Sequence, residues 1–334
     1  MIADNSTTDL ATGTETGVNV AIAKPRPVTT SRVTAWQRIE SAETVFGPPP
    51  PPKWIPPKRP NIVFLCMHKA ASTFVADVLM QSIAIRTAHY DLFNVGSMVI
   101  KYFQEKKEEY GLRPARNLKE QEDQLRRCLG EWKLPTCNGL ISRVYPGHMP
   151  ILSEALGTAI PGKGQRMCVI RRDPRDALIS LYYSMTISHS TEDIEGDPDV
   201  YRNRREDLRS QDLQAGLKML FRNEGLDCTT REFIYCTDLL RSNKRVCDLP
   251  YELLMNDPEQ WLKKFVRYGK LQEYVDNAWT GEMLGHLQPP EIEDPGSHKR
   301  RMRPGNWVDV FDDELKDMMQ KRLGSRMAEF GYHW

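Results

Sequence analysis

Two segments far apart in the chain each read as a buried strand that runs directly into the start of a helix, and they constrain the fold more than any other feature. The first is NIVFLCMHKAASTF, residues 61–74, in which the apolar run Ile62 to Met67 suits a strand buried on both faces. The small residues from Ala70 to Ser72 then let backbone N–H groups approach an anion closely, and Lys69 adds a positive charge. The pattern predicts a phosphate-binding loop.

The second segment is MCVIRRDPRDALISLYYS, residues 167–184, and it repeats the arrangement of strand, positive charge and helix start. Its apolar beginning predicts a short strand, after which Arg172 supplies a cation. Asp173 is a natural N-cap, and Pro174 suits the first position of a helix. This segment therefore predicts a second strand end that binds phosphate.

Together, these segments resemble the two cofactor signatures of the sulfotransferases that use 3′-phosphoadenosine 5′-phosphosulfate (PAPS). The resemblance extends from Pro60 to Trp334 and implies one sulfotransferase domain over residues 59–334. In that family, a Lys-Ser-Gly-Thr-Thr-Trp loop wraps the 5′-phosphosulfate. The residues at the corresponding positions here are Lys69, Ala70, Ala71, Ser72, Thr73 and Phe74.

The family's second signature is an arginine followed eight residues later by a serine, and both contact the 3′-phosphate. Arg172 and Ser180 match this spacing. On a helix that begins near Pro174, Ser180 lies almost two turns in, so it meets the phosphate only if the cofactor lies alongside the helix. The resemblance implies that this pair binds the 3′-phosphate.

A third, basic patch near the C-terminus resembles the family's Arg-Lys-Gly element, which is followed by Gly-Asp-Trp. Counting back from Gly305-Asn306-Trp307 puts Arg300 and Arg301 at the Arg-Lys pair, which is expected at the 3′-phosphate. Met302 replaces the glycine, whose lack of a side chain lets backbone approach a ligand closely. Tyr251 resembles the tyrosine of the family's Tyr-Glu-Asp element and is expected to contact the adenine.

Ala71 departs from the family pattern, which has glycine there. Alanine disfavours positive φ, so the loop is expected to be built without that torsion. Ser72 keeps the hydroxyl of the family's threonine, and Phe74 keeps an aromatic surface that can stack near the adenosine.

The acceptor base is expected in the segment Pro146 to Pro150, which keeps the His-x-Pro part of a Lys-Thr-His-x-Pro sequence found in many members of the family. His148 would remove the proton of an acceptor hydroxyl or amine, because histidine titrates near neutral pH. Lys69 would neutralise the charge that grows on the departing nucleotide. His68 and an unassigned carboxylate remain alternatives to His148.

From Pro60 onward, strand patterns alternate with helical ones, which is typical of an α/β domain with a parallel sheet. With the resemblance, this implies a three-layer, P-loop-like fold in which helices flank a central parallel sheet. Strands are predicted at Gly139 to Tyr145, Arg166 to Arg171 and Glu232 to Cys236, and a last helix at about Asp312 to Phe330.

Residues 1–58 differ in composition from the rest. The run Pro48 to Pro52 and a stretch rich in Ser, Thr and Gly predict a disordered, Pro-rich N-terminal tail. No apolar run approaches the length of a membrane span, and the N-terminus lacks the basic and apolar regions of a signal peptide. A cytoplasmic enzyme is therefore expected. Two charged helices are also predicted, near Val99 to Tyr110 and Leu118 to Trp132.

The composition favours a folded enzyme over a nucleic-acid binder. The 334 residues are 40% hydrophobic, so a sizeable core can form. The net charge is only +1, and the cations are concentrated in a few segments rather than spread over the chain. The seven cysteines form no Cys-x-x-Cys pair, which indicates reduced thiols rather than a zinc site. The resemblance implies PAPS as co-substrate, no metal, and a small-molecule, lipid or glycan acceptor; a homodimer stays open.

Two alternatives to an active sulfotransferase remain. A P-loop kinase or ATPase shares the strand, loop and helix, but its Walker A motif places lysine after a second glycine, whereas Lys69 precedes the small residues here. A catalytically inactive PAPS-binding relative is suggested by Ala71, Met302 and the incomplete segment around His148. The charged stretch of residues 189–212 borders the expected acceptor pocket, and a lid or a solvated loop would both suit it.

Overall fold

The computed structural model of the protein describes seven stretches of the chain and three isolated positions. These are residues 61–87, 90–94, 139–149, 165–188, 198–223, 227–288 and 302–334, with residues 123, 153 and 161. The predicted N-terminal tail, the two predicted charged helices apart from residue 123, and Arg300 and Arg301 lie outside the described residues.

A parallel sheet of five strands forms the centre of the described structure, in the order β2-β3-β1-β4-β5. All four strand pairings in this sheet are parallel. The strands are β1 (Asn61–Cys66), β2 (Tyr90–Asn94), β3 (Gly139–Val144), β4 (Gln165–Ile170) and β5 (Cys247–Asp248).

Helices pack against this sheet, which confirms the predicted α/β class with a central parallel sheet. They are α1 (Ser72–Phe74, Val75–Leu79 and Met80–Thr87 in succession), α2 (Pro174–Tyr183), α3 (Pro198–Arg209), α4 (Leu213–Arg222), α5 (Cys228–Ser242), α6 (Tyr251–Asn256), α7 (Pro258–Gly269), α8 (Asn277–His286), α9 (Trp307–Val310) and α10 (Asp313–Glu329). No helix within the described ranges is long and apolar enough to cross a lipid bilayer.

The core is centred on β1, which lies between β3 and β4. Residues Ile62 to Leu65 have no solvent-exposed surface, as expected for a strand with neighbours on both edges and both faces covered. Phe64 packs against Phe265 of α7, with 5.2 Å between the ring centroids. The continuous apolar run in the sequence is therefore explained by burial on both faces.

The strand order places a topological switch point between β1 and β4. The chain leaves β1 towards β2 and β3 on one side of the sheet, and it leaves β4 towards β5 on the other. In open parallel sheets, ligands bind in the crevice outside the carboxyl ends of the two strands at such a point. The loop that begins at His68 and the turn that begins at Arg171 both lie there.

Most of the predicted elements are confirmed, with bounds that differ by one residue. Gly139–Val144 and Gln165–Ile170 are strands, and the last helix, Asp313–Glu329, is capped by Asp312, which accepts from Leu315 N at 2.8 Å. The start of α2 is also as predicted, because Asp173 accepts from Arg175 N at 2.9 Å and Pro174 is its first residue.

The strand predicted at Glu232 to Cys236 is wrong, because these residues lie inside α5. Asp227 caps that helix by accepting from Thr230 N at 3.1 Å. The apolar run Phe233 to Cys236 was too short to distinguish a strand from a buried turn of helix. The error matters, because the helix brings Glu232 to the loop after β1.

Part of the charged stretch 189–212 forms α3, which lies beside a short π-helical continuation of α2, Ser184–Ser188. Arg205 Nε and Arg209 Nε donate to the carbonyl oxygen of Thr186 at 3.2 Å and 2.6 Å. These arginines satisfy a carbonyl at the end of the helical segment, where cations are favoured. The residues of α3 thus support the end of α2.

Candidate active site

The loop between β1 and α1 is held in an uncommon backbone conformation. Lys69 has φ 64° and Ala71 has φ 58°, ψ 26°, both in the left-handed region that non-glycine residues usually avoid. The expectation that alanine would remove the positive torsion at position 71 is therefore wrong. The surrounding sheet and helix fix the loop strongly enough to hold Ala71 there, at a cost of about 1–2 kcal/mol.

The left-handed turn at Ala71 presents the first turn of α1 towards the crevice. Ala71 is the N-cap of this helix and has no side-chain acceptor for the first N–H groups. Such groups are left for an anionic ligand or for water. Ala70 is buried, Ser72 is half-buried and Thr73 is exposed, so the loop residues expected to wrap a phosphosulfate range from core to surface.

Arg172 connects the second segment to the first. Its Nη1 donates to the carbonyl oxygen of Lys69 at 2.8 Å, across the switch point. Its guanidinium lies over the ring of Tyr251, with 4.3 Å from Cζ to the ring centroid. Its Nε is buried and has no hydrogen-bond partner within the described part of the chain. A buried, unpartnered N–H of a cation is a ready donor to an anion.

Lys69 points into the same crevice. Its ammonium donates to Ser184 Oγ at 2.7 Å. Burial and then the nearby charge of Arg172 lower the pKa of Lys69 to about 8, although Cys228 acts in the opposite direction. Burial disfavours the protonated form of Lys69, whereas an anion beside the ammonium would favour it. A bound anion and the charged Lys69 would therefore stabilise each other.

The two serines of the second segment differ in their surroundings. Ser180, which was predicted to join Arg172 at the 3′-phosphate, is half-buried on α2. Ser184, one helical turn later and buried, is the residue that contacts Lys69. Sequence reasoning missed Ser184. The i, i+4 spacing from Ser180 was the available signal, since it places both hydroxyls on one face of α2.

The third patch reaches the crevice through backbone contacts. The Tyr251 hydroxyl donates to the carbonyl oxygen of Met302 at 2.8 Å. The N–H groups of Gly305 and Trp307 donate to the two carboxylate oxygens of Asp176 on α2, at 2.6 Å and 3.0 Å. The structure therefore brings the segment after Arg301 to the helix that follows Arg172. The side chains of Arg300 and Arg301 lie outside the described residues.

Arg171 has a different environment from its neighbour Arg172. Its Nε and Nη2 donate to the carboxylate of Asp248 at 2.9 Å and 2.8 Å, and its Nη1 donates to the Tyr332 hydroxyl at 2.7 Å. Tyr332 in turn donates to Glu252 Oε2 at 2.8 Å. These bonds occupy the Arg171 guanidinium within the fold, whereas Arg172 keeps a donor that has no partner in the described part of the chain.

Three rings lie in a row beside the loop. The ring of His68 stacks on Tyr145 with 3.7 Å between centroids, and Tyr145 meets His148 edge to face at 6.1 Å. The Tyr145 hydroxyl donates to Ser72 Oγ at 3.3 Å. Both histidines considered as acceptor base, His68 and His148, therefore flank one tyrosine that contacts the loop. His148 is half-buried, in a short 3-10 helix (Pro146–His148) after β3.

His68 is held by a carboxylate that sequence reasoning did not assign. Glu232 Oε2 accepts from His68 N at 2.6 Å, and a hydrogen bond of 2.5 Å joins His68 Nδ1 to Glu232 Oε1. Burial opposes the charged imidazolium, but Glu232 and Cys228 outweigh it and raise the pKa of His68 well above its ordinary value. Recognising α5 as a helix would have placed Cys228 and Glu232 on one face, four residues apart.

A histidine, a thiol and a carboxylate meet beside the loop. A ring nitrogen of His68, Sγ of Cys228 and a carboxylate oxygen of Glu232 lie within 4.8 Å of one another. Glu232 uses both carboxylate oxygens on His68, so the arrangement is a triad in which a hydrogen-bonded histidine and carboxylate lie beside a thiol. The five cysteines within the described ranges are free thiols, as predicted, and Cys228 is the one of them that is not buried.

Phe74 faces the core side of the crevice. Its ring meets the buried Trp261 of α7 edge to face, with 6.5 Å between centroids. It remains half-buried, so part of its surface is open to a ligand. Tyr251 is almost fully buried beneath Arg172, which places its ring against the guanidinium.

The charges of the crevice favour an anion. Within the described residues, neither Lys69 nor Arg172 forms an ion pair with a carboxylate. The two strands beside β1 end in Val144-Tyr145 and Ile170-Arg171, so neither carries the carboxylate with which P-loop ATPases hold magnesium. These side chains suit a ligand with several negative charges.

Solved structures similar to this chain include two sulfotransferases and a retinol dehydratase. The mouse sulfotransferase SULT7A1 complexed with PAP has a TM-score of 0.47 and 12% identity over 80% of this chain and 84% of its own. Retinol dehydratase in complex with androsterone and the inactive cofactor PAP has a TM-score of 0.42 and 16% identity over 83% and 84%. Sulfotransferase STF9 from Mycobacterium avium has a TM-score of 0.40 and 10% identity over 90% and 82%.

No protein-family model and no curated protein sequence matches this chain. At such low identities, the function must be argued from the side chains of the crevice.

Proposed function

We propose that this protein is a sulfotransferase that moves the sulfuryl group of PAPS to a hydroxyl or amine acceptor. One observation carries the proposal. Arg172 and the Lys69 loop, far apart in sequence, meet at the switch point of the sheet, and the buried Nε of Arg172 has no partner among the described residues. Two cations and an open helix start around one crevice suit a nucleotide with phosphate groups at two positions.

The residues of the crevice divide between the two ends of such a nucleotide. Lys69, with the backbone of Ala70 to Phe74, would bind the 5′-phosphosulfate. Arg172 and Ser180, together with Arg300 and Arg301, would bind the 3′-phosphate. Tyr251 lies under Arg172, where its ring would contact the adenine.

PAPS supplies an activated sulfuryl group when bound, and the chain would supply proton acceptance and charge neutralisation. His148 would take the proton of the acceptor, and Lys69 would neutralise the charge that grows on the nucleotide as the bond to sulfur breaks. His148 is favoured over His68 for this role because Glu232 already engages the His68 ring. The acceptor is proposed to be a small molecule, a lipid or a glycan.

The choice of PAPS over ATP rests on two features of the crevice. Lys69 precedes the small residues of the loop, and the strand ends beside β1 carry arginine or tyrosine instead of a magnesium-binding carboxylate. A sulfuryl group carries less charge than a phosphoryl group, so lysine, arginine and backbone dipoles suffice to stabilise its transfer.

A transfer assay tests the proposal directly. Purified full-length protein is mixed with PAPS and a panel of phenols, sterols, lipids and glycans, and release of 3′-phosphoadenosine 5′-phosphate (PAP) is followed. We expect acceptor-dependent PAP formation that Lys69→Ala suppresses. Tight PAP binding with no acceptor-dependent release across the panel would instead support the inactive, nucleotide-binding relative.

A further inference from the structure

A cluster of nucleophilic and titratable side chains lies beside the phosphate loop and has no role in the proposed transfer. It consists of Cys228, His68 and Glu232, whose donor atoms lie within 4.8 Å of one another. Glu232 grips His68 through both the backbone N–H and Nδ1. The Cys228 thiol lies next to the His68 ring and raises the pKa of that ring, which extends the series to carboxylate, imidazole and thiol.

This order has a recognised chemical use. A nucleophile is activated when a base lies within hydrogen-bond reach and a third group orients that base. Here Glu232 fixes the ring of His68 and stabilises its protonated form, so the imidazole competes well for the thiol proton. The stacked ring of Tyr145 covers one face of His68 and keeps it in place.

The surroundings of Cys228 add to this effect. Cys228 is the first residue of α5, a helix of 15 residues, so it lies at the positive end of the helix dipole. The Lys69 ammonium is near enough for Cys228 to influence its pKa. The ionisable groups close to the thiol are Lys69 and His68 from the loop and Glu232 of α5. The short helix that carries His148 packs on α5, and Asp227 is the N-cap of α5.

Access separates Cys228 from the other described cysteines. Cys66, Cys168, Cys236 and Cys247 are buried, whereas Cys228 is partly exposed. Thiols in partly exposed, electropositive surroundings next to histidine or lysine are the reactive ones, while buried thiols are inert.

We propose that Cys228 is an activated thiol and a modification site that exchanges with small disulfides such as oxidised glutathione. His68 takes the thiol proton as Sγ attacks one sulfur of the disulfide. The old S–S bond breaks, a mixed disulfide forms on Cys228, and the departing glutathione thiolate receives the proton from His68. The adduct would lie beside Lys69, so modification and occupation of the phosphate loop would oppose each other.

The test measures alkylation of the full-length protein by iodoacetamide, with each cysteine followed by peptide mass spectrometry. At pH 6, where an ordinary thiol is about 1% ionised or less, we expect Cys228 to react at least about tenfold faster than a reference peptide thiol. His68→Gln and Glu232→Gln should lower that rate about tenfold, and Glu206→Gln on the exposed face of α3 should not change it.

A second arm uses oxidised glutathione as the probe. We expect a glutathione adduct on the Cys228 peptide, reversal by dithiothreitol, and slower labelling in the presence of saturating PAP. If His68→Gln or Glu232→Gln fails to fold, the pH profile of the unaltered protein decides alone. A Cys228 rate and pH profile equal to those of the reference peptide would overturn the proposal. Reactivity that appears only after a chelator is added would also overturn it, because the triad would then be a metal site.

These outcomes are separate from the proposed function. Fast labelling of Cys228 without PAP binding would support the activated thiol and count against the sulfotransferase. PAP binding by a protein whose Cys228 has ordinary reactivity would support the sulfotransferase and count against the activated thiol.

Discussion

Arg172 donates from Nη1 to the carbonyl oxygen of Lys69 at 2.8 Å, and this bond joins the turn after β4 to the loop after β1. The Lys69 ammonium donates to Ser184 of the helical segment that follows Arg172, so each cation is held by a contact with the other segment. The arrangement gives each cation a distinct expected role, since Lys69 lies in the loop proposed to bind the phosphosulfate and Arg172 stacks on Tyr251.

We predict that Lys69→Ala and Arg172→Ala separate turnover from binding. For Lys69→Ala, we expect turnover to fall about 10²–10³-fold with little change in PAP affinity, because the lysine acts as charge develops on the departing nucleotide. Losing charge-assisted bonds to a phosphate should weaken PAP binding about 10–100-fold for Arg172→Ala. Steady-state kinetics and calorimetry measure the two effects.

Arg172→Lys is the matched control, because it keeps the charge and loses the guanidinium geometry. We expect intermediate PAP affinity. Equal losses of affinity and turnover in both alanine variants would contradict this division of roles.

Lys69 predicts how catalysis depends on pH. Its pKa is lowered to about 8, so it is protonated below that pH and increasingly neutral above it. The protonated form neutralises the charge on the departing nucleotide, so kcat/KM should fall up to about tenfold per pH unit above pH 8, while PAP affinity changes little. Steady-state kinetics from pH 6 to 9.5 measure the slope. Lys69→Arg should flatten the profile, and a slope that persists in this variant would assign the titration to another group.

The positive φ of Ala71 predicts an unusual stabilising substitution. Ala71→Gly removes the left-handed strain, which outweighs the extra freedom of glycine in the unfolded chain, so we expect a gain of about 0.5 kcal/mol. Ala70→Gly is the control, because Ala70 is buried and has no positive φ. Its loss of a buried methyl should cost about 1–2 kcal/mol. Urea unfolding of both variants measures the difference, and a loss of stability in Ala71→Gly would contradict the strained loop.

Arg171 and Arg172 are adjacent in sequence but should respond differently to truncation. Arg171→Ala leaves Asp248 and the Tyr332 hydroxyl without their partner, so we expect about 2–3 kcal/mol of lost stability, less than for a fully buried pair because Asp248 is partly exposed. Arg204→Ala, on the exposed face of α3, should change stability by less than about 0.5 kcal/mol. Thermal unfolding compares the two. An unaffected Arg171→Ala protein would show that the network around Tyr332 is not a stabilising one.

The sequence predicted the frame of the site better than its details. The strand ends before Lys69 and Arg171 were readable because continuous apolar runs and the Asp173-Pro174 helix start are local signals. The torsion at Ala71 was not, because the tertiary frame overrides the local preference of alanine. The pairing of His68 with Glu232 could not be read either, since it depends on α5, where the local pattern at residues 232–236 predicts a strand.

The contacts of the C-terminal segment show the same limit. A basic patch before Gly305 was visible in the sequence, but its attachment through Asp176 was not. A carboxylate in the first turn of a helix has an ordinary use in balancing the helix dipole, and nothing local distinguishes it from one that binds a distant backbone.

The most direct test of the account is a calorimetric titration of the full-length protein with PAP, beside ATP with magnesium, in the unaltered chain and in Arg172→Ala. We predict preferential binding of PAP that the substitution weakens at least about tenfold, because the 3′-phosphate would lose its charged donor. Equal binding of ATP and PAP, unchanged by the substitution, would contradict the sulfotransferase assignment and favour a P-loop kinase or ATPase.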